Sequence, residues 1–96
     1  MKIDWTQPLT DLSGATISDE QGRPITLGKT AIHALLTVRE TVAAQEKFER
    51  FLVAGKVHAN ADITLEEATL IKQATGEVLT PLAMGVIWQA LEGNSG

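Results

Sequence analysis

The amino-acid sequence predicts a mainly helical domain of the α+β class, an N-terminal extended arm and short β-hairpin packed on a bundle of four short helices. Three observations predict it. Beyond position 27 apolar residues recur every three or four positions. Helix-start signals stand at Thr26, at Thr64-Leu65-Glu66-Glu67 and at Thr80-Pro81. Two-residue alternation, by contrast, is confined to residues 15–27, around a polar turn that contains Gly22.

Residues 1–13 have no regular period. Pro8 removes a backbone donor, Asp11, Ser13 and Gly14 form turns, and Ile3, Trp5, Leu9 and Leu12 are scattered between them, which reads as an arm laid across the helical body with Trp5 as its anchor. Residues 15–18 and 23–27 flank the turn at 19–22 and predict the hairpin, with Pro24 confining its strand to an edge. No internal repeat is evident. The first helix is expected from about Gly28 to Arg39, on Ala31, Ile32, Leu35 and Val38, with Thr26 as N-cap. The second presents Ala44, Phe48, Phe51, Leu52 and Gly55 as its apolar face, with Glu46, Lys47, Glu49 and Arg50 on the other side and Thr41 in position to cap it. The third begins at the capping box of Thr64 and Glu67, continues through Ala68, Ile71 and Ala74, and is expected to stop at Gly76. The fourth starts at Thr80 and Pro81 and ends at Gly93, leaving residues 93–96 as a tail.

With 96 residues, 44% of them apolar and 21% charged, the chain is expected to form one domain over residues 1–96: arm and hairpin over 1–27, helical body over 28–92. The absence of cysteine removes disulfides, thiolate metal sites and cysteine nucleophiles. No apolar run approaches the roughly 20 residues that span a bilayer, and the first residues carry no apolar leader, so the expected location is the cytoplasm. The net charge of −4 resides entirely in residues 62–96, where Lys72 stands against Asp62, Glu66, Glu67, Glu77 and Glu92. That region is a poor surface for a polyanion.

Several motifs fail where their chemistry needs them. Residues 56–67 overlay a calcium loop, but Lys56 stands at the first ligand position and Ala61 at the glycine turn. Residues 64–92 have the form of a helix-turn-helix, yet residues 81–92 contain no Lys or Arg, and Gln89 is the one base-reading side chain. His33 and His58 have no metal-ligand spacing, and no nucleophile elbow or phosphate loop is present. Adjacent Glu66 and Glu67 point roughly 100° apart on a helix and cannot flank one bond. The expectation is therefore a protein without catalysis, metal or cofactor.

One feature points to a partner. Met84, Trp88 and Leu91 share a face of the last helix, offset from the stripe of Ala83, Ile87 and Ala90, so the helix is apolar around most of its circumference. Such a helix is either buried centrally or holds a second apolar surface against another protein. The expected contact residues are Trp5, Met84, Trp88 and Leu91, and the expected partner is another protein or a second copy, not nucleic acid or membrane. The alternative is a nucleic-acid-binding regulator using residues 64–92.

The opening Met1-Lys2-Ile3-Asp4, the turn Glu20-Gln21-Gly22-Arg23-Pro24, the run Ile63-Thr64-Leu65-Glu66-Glu67-Ala68 and the pattern Pro81-Leu82, Gly85-Val86, Ala90-Leu91-Glu92-Gly93 carry a resemblance. Over most of its length the chain resembles small proteins of unknown function encoded by tailed bacteriophages and prophages. The resemblance implies a bacterial cytoplasm as the setting and a phage-related accessory role. It supplies no catalytic residues.

Overall fold

A computed structural model describes residues 2–37 and 42–93. The expected cap Thr41, Val38 and Arg39, and residues 94–96 lie outside the described residues; the first helix, expected to run to Arg39, already ends at Leu36, where Thr37 turns extended (φ −94°, ψ 107°) as its cap.

Among the described residues four helices form: α1 (Leu27–Leu36), α2 (Ala44–His58), α3 (Leu65–Val78) and α4 (Pro81–Gly93). Their ends follow local chemistry. Thr26 Oγ1 accepts the Lys29 N–H at 3.1 Å to start α1, and at the other end the Thr37 N–H and hydroxyl both return to the His33 carbonyl. The capping box of α3 is complete: Thr64 Oγ1 accepts the Glu67 N–H at 3.1 Å, and Glu67 Oε1 accepts the Thr64 N–H at 2.8 Å. α2 ends where Asn60 takes a left-handed conformation, φ 55°, with its N–H on the Val57 carbonyl. Gly76 does not stop α3, which runs on to Val78. It faces α4 instead: a Cβ there would make ordinary contact, 3.7 Å from the Trp88 ring and 3.9 Å from the Met84 sulfur. Gly93 likewise closes α4 from inside the helix.

α1 is the central helix, packing against α2, α3 and α4, while α3 and α4 pair as neighbours. Among the described residues α2 and α4 come into no close contact. The core joins Leu27, Ala31, Ala34 and Leu35 of α1 to Val53, Ala54 and Val57 of α2, Ile71 and Ala74 of α3, and Ile87 and Leu91 of α4. Alanines at the middle of α1 set short interhelical distances, because the spacing of packed helices follows the side chains between them.

α2 is turned the other way from expectation. Its buried residues are Arg50, Val53, Ala54 and Val57, and the predicted core face of Phe48, Phe51, Leu52 and Gly55 lies exposed. Both sets follow the spacing i, i+3, i+4, i+7. They sit about 200° apart, since the second is the first displaced by two residues. Small Val53, Ala54 and Val57 fit the close approach that Ala31 and Ala34 impose on α1, and two phenylalanine rings do not.

No β-hairpin or sheet is formed among the described residues; isolated antiparallel bridges join Pro8 with Thr26, Thr10 with Thr16 and Ser18 with Pro24. The repeat missed in the sequence explains them. Leu9, Ile17 and Ile25 stand eight positions apart and close a ring: Leu9 N–H donates to Ile25 O (2.6 Å), Ile25 N–H to Ile17 O (2.9 Å) and Ile17 N–H to Leu9 O (2.8 Å). Each of these three residues gives its N–H to one neighbour and its carbonyl to the other, and each pair of segments meets at a single bridge. Pro8 and Pro24, at bridge positions, have no N–H to extend it. Between the ring residues the same turn is built twice. Asp11 Oδ1 accepts the Ser13 and Ala15 amides, Asp19 Oδ1 accepts those of Gln21 and Arg23, and Gly14 and Gly22 take φ of 90° and 80°. Hydrogen bonds, first from the Ser13 hydroxyl at Asp11 and from the Arg23 amide at Asp19, hold both carboxyls below their ordinary range.

Candidate docking surface

The four residues expected to meet a partner fall in two places, and two of them are enclosed. Trp5 is only 2% exposed. Its N–H donates to Asn60 Oδ1 at 2.9 Å, its carbonyl accepts the Gly28 N–H at 2.9 Å, and a Cβ on Gly28 would come within 3.0 Å of that carbonyl oxygen. The arm is thus clamped onto α1 and the end of α2, with Ile3 and Leu9 also buried and Lys2 Nζ donating to the Asn60 carbonyl. Leu91 is fully buried against the core. Trp5 and Leu91 therefore present no surface to a partner in the folded chain.

Met84 and Trp88 are half-buried, and it is α3 that covers them. Trp88 Nε1 donates to Thr75 Oγ1 at 3.0 Å; the Thr75 hydroxyl in turn lies 2.8 Å from the Ile71 carbonyl. Lys72 Nζ stands 5.5 Å from the Trp88 ring centre and 3.2 Å from Glu92 Oε1. The second apolar face of α4 is largely taken up inside the molecule. α4 has no large hydrophobic among the exposed ones.

Among the described residues the large hydrophobics left exposed are Leu12, Leu36 and Leu65, each on a different segment, and three that share one stripe of α2. Phe48 is 55%, Phe51 61% and Leu52 48% exposed, and the two rings stack with centroids 6.4 Å apart and planes inclined by 22°. Arg50 holds the opposite face at 1% exposure, its Nη2 lying 3.3 Å from Glu46 Oε2 and 3.4 Å from Glu77 Oε2. Among the described residues its Nε and Nη1, both buried, have no hydrogen-bond partner. Sequence reasoning placed Arg50 outside and the phenylalanines inside. The one available signal was that residues 50, 53, 54 and 57 repeat the same spacing with smaller side chains.

Beside this stripe, α2 and α3 enclose a groove of about 430 Å³. Leu52, Val53 and Leu70 supply its apolar lining, and Glu46, Glu49, Glu66 and Glu67 supply carboxylates. Lys56 Nζ bridges the two helices to Glu67 Oε2 at 2.7 Å. Burial pushes the Glu67 carboxyl up, but its bonds to Lys56 and Thr64 outweigh that and hold it below its ordinary value. Lys56 and Glu67 are the two ends of the segment that overlays a calcium loop, and here they pair with each other. His33 and His58 are exposed and line separate depressions, and among the described residues no three His, Asp or Glu side chains are placed to hold a metal ion. No helix among them is long and apolar enough to cross a membrane.

The chain matches no protein-family model, no curated protein and no solved structure.

Proposed function

We propose that this chain is a small accessory protein of phage or prophage type that works in the bacterial cytoplasm by docking on another protein, without catalysing a reaction, and that the docking surface is the outward stripe of α2. The observation that carries this reading is the exposure of Phe48, Phe51 and Leu52 as one contiguous patch. A free chain gains nothing from such a patch. Enclosing each ring is worth about 1.5–3 kcal/mol, which this fold leaves unused while it spends an inward position of the same helix on an arginine. Aromatic residues clustered on an exposed face are the usual anchors of protein interfaces. The phage setting draws its support from the sequence resemblance.

A photo-crosslinking side chain at position 51, introduced into the protein in infected cells, tests the reading. A discrete adduct is expected from position 51 and not from Gln89, which is exposed on α4. Equal adducts from both positions, or none from position 51, would contradict it.

A further inference from the structure

On the premise that the α2 stripe docks a protein, the groove beside it identifies the occupant. We infer that the groove between α2 and α3 takes an amphipathic helix of another protein that carries lysine or arginine along one edge. The apolar part of the seat is Leu52, Val53 and Leu70, continuous through Leu52 with Phe48 one turn away on α2. A trough between two helices accepts a third helix through anchors at i, i+3 or i+4 and i+7.

The charges decide which helix. Four carboxylates surround the seat, and two are already matched within the chain: Glu46 faces Arg50, and Glu67 faces Lys56. Glu49 and Glu66 are exposed and take part in no ion pair among the described residues. They stand on opposite sides of the trough, one on each helix, where cations on an incoming helix would reach them. A second copy of this chain is the poorer occupant. A two-fold contact sets the same patch against itself, which would face these glutamates with their own equivalents in a chain of net charge −4.

The test uses the full chain and labelled synthetic helical peptides with leucine or phenylalanine at the anchor positions, flanked by lysine in one version and by glutamate in the other. The lysine peptide is expected to bind roughly tenfold or more tightly than the glutamate peptide, with a preference that shrinks as salt rises. In Glu49→Lys/Glu66→Lys, both changes lying on exposed positions, the preference is expected to invert while the chain stays folded, the charge reversal in the first turn of α3 lowering the thermal midpoint by several degrees. Equal binding of the two peptides would overturn the inference, and so would binding of neither. If the chain instead sediments as a dimer that Phe51→Glu dissolves, the occupant is a second copy and the inference also fails. The crosslinking result at position 51 is independent of these outcomes. An adduct there alongside peptide failure would leave docking intact and remove the basic helix.

Discussion

α2 and α4 both carry more apolar side chains than one core-facing stripe needs, and they dispose of the surplus in opposite ways. On α4 the surplus is Met84 and Trp88. α3 meets it with a threonine that accepts the indole N–H and with the Lys72 ammonium 5.5 Å from the ring centre. On α2 the surplus is Phe48, Phe51 and Leu52, on the side away from α1, and no helix covers it. How greasy a helix is therefore does not say which face is free. The neighbours decide, through whether they offer complementary contacts.

The largest effect that bears on this comparison concerns the residue that turns α2. Arg50 holds its guanidinium in the interior against two carboxylates, so removing both in Glu46→Ala/Glu77→Ala is expected to cost about 3–5 kcal/mol of unfolding free energy, measured in urea. Arg50→Met, which removes the charge and keeps the volume, is expected to change stability little or to raise it. A mild loss in the first variant would mean that Arg50 reaches water and that α2 is not anchored by it.

Next comes the direct contrast between the helices. Trp88→Ala should cost about 3 kcal/mol, because the half-buried indole packs on α3 and donates its N–H to Thr75. Phe51→Ala should stay within about 0.5 kcal/mol of the parent, as an exposed substitution does. Similar losses from the two would erase the distinction drawn here.

The smallest effect is acidic. With the Glu67 carboxyl held below its ordinary value of 4.5, the Lys56 bridge and the α3 cap contribute fully above that pH and lose their contribution as pH falls through the lower folded-state value. The tie between α2 and α3 should therefore loosen in acid, seen as faster amide exchange at the start of α3. At the α3–α4 contact the carboxylate of Glu92 meets Lys72 at an exposed position, while the Trp88–Thr75 hydrogen bond contains no acid and should keep its protection. Parallel loss at both places would point to global unfolding.

Much of the helical architecture was legible in the sequence, because it is written in local chemistry. Thr26, Thr64 with Glu67, and Pro81 mark helix starts through groups within one turn of each other, and all three stand where expected. The burial of Trp5 was legible too, from the size of its ring. What was not legible depends on distant partners. The orientation of α2 rests on a choice between two stripes of equal spacing, and residues distant in sequence, the small Ala31 and Ala34 of α1 and the Glu77 partner of Arg50 on α3, bear on it. Residues 15–27 alternate as a hairpin would, yet their donors and acceptors divide among three segments through Leu9, Ile17 and Ile25. That spacing of eight was present in the sequence and went unread, because the Asp and Gly positions repeat while the residues between them do not.

Cysteine accessibility tests the orientation of α2 most directly, since the chain contains no cysteine of its own. Single replacements Phe51→Cys and Val53→Cys should react with a maleimide at very different rates in the native protein. The account predicts that position 51 labels nearly as fast as in denaturant and that position 53 is protected. Protection at 51 together with rapid labelling at 53 would show the aromatic stripe facing the core, and the proposed docking surface would not exist.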